Sequence, residues 1–355
     1  MCVAFADSPL SMVMQSARVQ RLIEQLQRVR QRVQSHPERT HALHFSLAEL
    51  RCTREDFDRA MRRGQSKLHR LCGLIAQTYF CGPYEVRSQL VGEVVETRER
   101  FLLGETIDPQ TLYAVTDSEL ARRKIDRLGF RLEGRSVFAR ARLIANLVEY
   151  SPEEDRGTGI LKLTSRIKGE QEVWNKVVDE IFELDQLVAR DKKLCELSRF
   201  VKDIFGLKFI VTDGPAADSL LLRLSEREWS EEELKDAQVP WQLTTHSLQW
   251  LETKNYQTGH CKRSGWKALK SVVQWWDSTF EIQVQSMHSY FRELQRLNQD
   301  SHESFRQRRT QLRSRVAEQI PLFAFYTDLL RWLMGPQPRR GAPPTFPGIV
   351  LELSE

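Results

Sequence analysis

The chain has no long apolar run. Even its most apolar stretch, 322–334, is interrupted by Asp328 and Arg331, whereas a membrane-spanning helix needs roughly 18 uncharged apolar residues. No membrane partner is expected. Residues 1–10 have no basic start and carry Asp7 where a secretory segment is apolar, so the cytoplasm is the expected compartment. Cysteine is sparse: Cys2, Cys52, Cys72, Cys81, Cys195 and Cys261 lie far apart, with no C-x-x-C and no zinc-finger spacing, which predicts reduced thiols and no structural zinc. A strong charge of either sign is missing too. With 53 Lys and Arg against 48 Asp and Glu, the net charge is +5, too little to argue for nucleic acid. The basic residues are nevertheless mostly Arg in clusters, which leans toward partners that carry phosphate.

What is present is enough to fold. The 355 residues are 41% hydrophobic and 28% charged, which excludes wholesale disorder and allows one large domain or two ordinary ones. Residues 11–150 are rich in Leu, Arg, Gln and Glu at helical spacing, and Val19, Leu22, Ile23, Leu26 and Val29 fall on one helical face. A helical N-terminal region, 1–150, is therefore expected. Thr53 with Asp56 and Thr116 with Glu119 have the spacing of helix starts. The polar segment 151–159, S-P-E-E-D-R-G-T-G, marks the expected domain boundary.

Beyond it the period changes. Residues 160–168 read as a strand and 170–189 as a helix with Val173, Val177, Ile181 and Leu184 inward. Residues 207–212 read as a short strand, 216–223 as a helix and 230–236 as an acidic loop. Strand character follows over 241–256, 266–276 and 278–285. Helices are expected again over 291–335, then a Pro-rich tail over 336–355. The predicted fold is mixed α/β (α+β): a core of 151–290 around a mixed sheet, with a helical N-terminal domain and C-terminal helices.

The strand 278–285, S-T-F-E-I-Q-V-Q, puts Phe280, Ile282 and Val284 on one face and Glu281, Gln283 and Gln285 on the other. A carboxylate is thus presented from a sheet, and Asp203 precedes the strand that carries Leu207, Phe209 and Val211. Two such carboxylates can share a hard ion such as Mg²⁺, although an isolated pair is more often two ordinary surface acids. The surroundings are basic: Arg166, Lys168, Lys176 and Lys208, then four Lys and one Arg mixed with Tyr256 and Trp266 over 254–270. Cations suit phosphates and aromatic faces suit bases. Tyr256 suits core packing equally well, Trp275 and Trp276 suit structural roles, and the run 306–315 is a solvated helix face or a clamp for an RNA backbone.

In order, these elements resemble the synthetase domain of the RelA/SpoT-type alarmone synthetases, which are nucleotide pyrophosphokinases with a nucleotidyltransferase-like fold. The likeness covers about 160–290 and rests on R-x-K with a helical Lys (Arg166, Lys168, Lys176) and on D-I-x-G-L-K-x-I-V beginning at Asp203. It includes K-x-Y-x-T with K-x-S-G-W (Lys254, Tyr256, Lys262, Trp266) and F-E-I-Q-V-Q with Glu281 and Gln283. The resemblance implies ATP contacts for Arg166 and Lys176 with Lys168 nearby, an Mg²⁺ site on Asp203 and Glu281, and Glu281 as the base for an acceptor 3′-hydroxyl. Trp266 takes the place of the aromatic that stacks on the acceptor guanine.

Lys208 stands where the family has an Arg that packs on adenine, Lys270 where a His is common, and Gln285 where an Arg is usual. The implied reaction makes (p)ppGpp from ATP and GDP or GTP. The 3′-CCA end of tRNA is an alternative acceptor, and an inactive nucleotide-binding regulatory module is a second alternative. No hydrolase is expected, because none of the eight His is followed by Asp. The N-terminal region is consistent with a scaffold, a homo-oligomer interface or an antitoxin-like regulator.

Overall fold

The computed structural model describes residues 16–94, 96–97, 99–130, 139–167, 170–182, 204–257, 267–297, 313–334 and 342–355. In chain order the elements are α1 (Ala17–Ser35), β1 (His41–Ser46), α2 (Leu47–Tyr79), β2 (Tyr84–Val94), β3 (Arg100–Thr106), α3 (Pro109–Ala114), α4 (Asp117–Ile125), β4 (Gly129–Phe130), β5 (Ala139–Pro152) and β6 (Ile160–Ile167). They continue with α5 (Glu170–Ile181), β7 (Phe205–Val211), α6 (Gly214–Ser225), α7 (Glu231–Asp236), β8 (Gln249–Asn255), β9 (Leu269–Trp275), β10 (Ser278–Ser286), α8 (Met287–Leu297), α9 (Pro321–Met334) and β11 (Ile349–Ser354). The fold is mixed α/β. Among the described residues no helix is long and apolar enough to cross a membrane.

The chain divides into two compact units, and the division falls inside α2, after Met61. The first unit takes residues 1–61, 168–202 and 297–355. Ser16 caps α1 by accepting from the Val19 amide, and the five apolar residues singled out by spacing are its buried face. Helix α9 buries eight apolar or aromatic side chains. Around Phe182, the rings of Phe323 and Tyr326 stand edge-on at 5.4 and 5.3 Å, and the Arg30 guanidinium lies 4.9 Å from its centroid. Tyr326 donates its hydroxyl to the Leu26 carbonyl at 2.8 Å. Strands β1 and β11 pair in parallel, so the end of the expected tail is a strand.

The second unit, 62–167 and 203–296, holds a mixed sheet in the order β3-β2-β5-β6-β7-β10-β9-β8, with β4 paired to β5. Strands β7 and β10 are parallel and their other partners antiparallel. One face is apolar: Leu163, Leu207, Phe209, Ile282, Val284, Val273 and Trp275 are all buried, and each such burial contributes about 1.5–3 kcal/mol. From α2, the fully buried His69 reaches this face and its Nδ1 lies 3.2 Å from the Tyr150 hydroxyl. Burial lowers the His69 imidazole from its ordinary 6.5 to about 3. Trp275 donates to the Thr245 carbonyl at 2.8 Å, and Trp229 stands edge-on to its ring.

Several expectations are corrected. Residues 84–152 are not helical throughout but supply β2, β3, β4 and β5, because cross-strand pairing overrides the helix propensity of their Arg, Ala, Leu and Glu. The segment 151–159 links β5 and β6, neighbours in one sheet, rather than two domains. Thr53 lies within α2, its hydroxyl donating to the Glu49 carbonyl, and starts no helix. Residues 231–236 form α7 under a Ser230/Glu233 capping box rather than a loop. Leu184 and 306–312 lie outside the described residues.

Candidate functional site

The second face of the sheet is polar, and β10 shows why. Phe280, Ile282 and Val284 point into the core, so the pleat turns Glu281, Gln283 and Gln285 the other way. Pairing then builds a row. Gln283 lies opposite Lys208 of β7 and Lys270 of β9; Lys270 lies opposite Lys254 of β8, and Lys208 opposite Thr164 of β6. Residues paired in register share a face, and neighbouring strands are about 4.8 Å apart. Three lysines and an amide therefore cross four adjacent strands in line. In the next row Arg166 and Glu281 flank Gly206, which carries no side chain.

The turn between β9 and β10 fixes this register. It has two residues, Trp276 and Asp277, between the paired Trp275 and Ser278. Trp276 adopts φ +60, a conformation costly for a bulky residue. Interactions hold it there: its amide donates to the Thr244 carbonyl, and Lys67 lies 4.9 Å above its ring while pairing with Asp277. Burial pushes the Asp277 carboxyl up, but hydrogen bonds from Lys67 and Ser278 and the Lys67 charge hold it below its ordinary value.

At the centre of the polar face, Glu281 is only 2% exposed. The Lys270 ammonium pairs with its Oε2, and the Gln283 side-chain amide donates to Oε1. The other cations also have neighbours. Lys208 lies 5.1 Å from the Tyr290 ring centroid, and Lys254 pairs with Glu252. Arg166 is exposed at the end of β6. Tyr256 is buried, and its amide donates to the Ala268 carbonyl.

The structure thus brings together Arg166, Lys208, Lys254, Lys270, Glu281 and Gln283. Lys176 lies on α5, its side chain outside the described residues, as are Lys168, Asp203, Lys262 and Trp266. Sequence reasoning missed Glu149, which pairs with Lys162 at 3.1 Å and accepts from Gln89 at 2.6 Å. Glu149 faces Thr164 in register and so continues the row. Its signal was hidden by the helical reading of β5, whereas Lys162 stands in simple alternation with Thr164 and Arg166.

Magnesium requires several oxygen ligands in near-octahedral array. Among the described residues no group of three His, Cys, Asp or Glu could hold a metal ion. Glu281 has both oxygens engaged, one by an ammonium, so as it stands this carboxylate does not fit Mg²⁺; Asp203, the second expected ligand, lies outside the described residues.

No family model matches the chain, and no curated protein matches it. Among solved structures, the small alarmone synthetase 1 from Bacillus subtilis bound to its product pppGpp is similar at 17% identity and a TM-score of 0.25, over 46% of this chain and 77% of that one. A second structure of the small alarmone synthetase 1 from Bacillus subtilis is similar at 16% identity and the same TM-score, over 46% and 78%.

Proposed function

We propose that the chain is a RelA/SpoT-like pyrophosphokinase that transfers the β,γ-pyrophosphoryl group of ATP to the 3′-hydroxyl of GDP or GTP. The observation that carries this reading is the polar sheet face, where the motif residues Arg166, Lys208, Lys254, Lys270 and Gln283 lie around the buried carboxylate of Glu281. A polyphosphate laid across that face meets several cations, which is what a transfer of this kind needs, since its catalysis is largely positioning and charge neutralisation. By resemblance, Lys168 and Lys176 join the ATP side, Asp203 is a second acid, and Tyr256, Lys262 and Trp266 belong to the nucleotide sites.

In the proposed step the acceptor hydroxyl oxygen bonds to the β-phosphorus of ATP. The bond from that phosphorus to the oxygen bridging it to the α-phosphorus breaks, and AMP leaves. The hydroxyl proton passes to Glu281, whose carboxylate must first part from Lys270 or Gln283. Incoming phosphate supplies a reason for that parting, because it competes for the same ammonium.

The Lys270–Glu281 pair also supports a second reading, a nucleotide-binding module without turnover. Incubation with γ-³²P-ATP and GDP, GTP or deacylated tRNA separates the possibilities. Label on guanine nucleotide supports the proposal, and label on tRNA moves the acceptor to its 3′-CCA end. Nucleotide binding without AMP release selects the binding module.

A further inference from the structure

We infer that the Lys270 ammonium is the resident cation of Glu281, standing where the family resemblance puts a metal ion; the identity of the site rests on the pyrophosphokinase reading. The register between β9 and β10 sets Lys270 opposite Gln283, one diagonal step from Glu281, a separation that a long side chain spans. Lys270 is drawn inward, its side chain 20% exposed against 2% for Glu281. With the ammonium on Oε2 and Gln283 on Oε1, both carboxylate oxygens are occupied.

A buried carboxylate without a counter-charge is costly, so an ionised Glu281 needs a cation beside it. A dication would have to displace the ammonium from Oε2 or accept its repulsion at close range. Lys270 is tethered by its own backbone, so it is present at every Glu281 and no free ion has to be recruited. It is also a single charge on a flexible stem, able to swing toward a phosphate and return. The consequence is specific to this chain: Glu281 is neutralised by the protein itself, and metal carried by a nucleotide is not held by Glu281.

The test is a Mn²⁺ titration of the nucleotide-free protein followed by electron paramagnetic resonance, on wild type, Glu281→Gln, Lys270→Met, Lys270→Gln and Lys270→Met/Glu281→Gln. Wild type and Glu281→Gln should bind Mn²⁺ indistinguishably. Each single Lys270 variant should gain one site about tenfold or more tighter than any in wild type, with water completing the shell of an ion held by the one carboxylate, because an uncompensated buried carboxylate favours a cation, and the double variant should lose it. Weaker Mn²⁺ binding by Glu281→Gln than by wild type overturns the inference. So does the absence of a gained site in folded Lys270 variants. The wild-type comparison decides the matter even where Lys270 variants misfold. Label transfer from ATP is scored separately, so loss of the pyrophosphokinase reading and loss of this inference are distinguishable.

Discussion

Replacing Lys270 by Met removes the ammonium and leaves the stem. Glu281 then remains in a site where it is 2% exposed, with the Gln283 side-chain amide still donating to Oε1. Breaking a buried ion pair by deleting one partner typically costs about 3–5 kcal/mol. Because Gln283 still donates and the Lys270 side chain is 20% exposed, the lower end, about 3 kcal/mol, is expected. For a domain of about 150–250 residues that corresponds to a fall in Tm of about 6–12 °C. Adding Glu281→Gln removes the stranded charge, so the double variant should return to within about 1 kcal/mol of wild type. Urea unfolding of the four proteins of this cycle provides the assay. A Lys270→Met variant as stable as wild type, or a double variant no better than Lys270→Met, would refute the claim that Glu281 is a buried charge compensated by Lys270.

Lys208→Ala and Lys254→Ala should each weaken ATP binding by about tenfold, the loss of one charge-assisted contact, as read by calorimetric titration; unchanged affinity in both would remove the cation row from the nucleotide site. His69 makes stability depend on acid. Its imidazole is held neutral in the fold down to about 3 against an ordinary 6.5, so the unfolded chain gains a proton first and stability falls as the pH drops below 6.5. The slope due to this group is about 1.4 kcal/mol per pH unit until about pH 3, and His69→Gln should lose it in denaturant titrations across that range. Phe182→Ala should cost about 3–5 kcal/mol in the first unit, since its ring packs against Phe323, Tyr326 and Arg30; a loss below about 1 kcal/mol would contradict that packing.

The strands nearest the site were legible because alternation is a local signal. Ser278–Ser286 separates its apolar and polar residues cleanly, and Phe205–Val211 does so up to Ile210, an apolar residue on the face of Lys208. Tyr84–Val94 and Ala139–Pro152 were not legible: their helix-forming residues become strands only through pairing with each other, which no short window contains. Thr53 shows the same limit, since T-x-x-D has the spacing of a helix start wherever it falls in a helix. At the site, the residue types were readable and their partners were not. Lys270 and Glu281 meet because a two-residue turn with Trp276 at φ +60 sets the register. The sequence W-D at that turn carries none of the Asn-Gly or Asp-Gly signal that usually announces one.

The central claim is transfer of pyrophosphate by the polar sheet face. Its most direct test is to incubate wild type and Glu281→Gln with γ-³²P-ATP and GDP, separate the products and measure AMP alongside. The account predicts label on guanine nucleotide with equimolar AMP from wild type, and none from a Glu281→Gln protein that remains folded. Undiminished transfer by Glu281→Gln, or no transfer by wild type to guanine nucleotide, would contradict it.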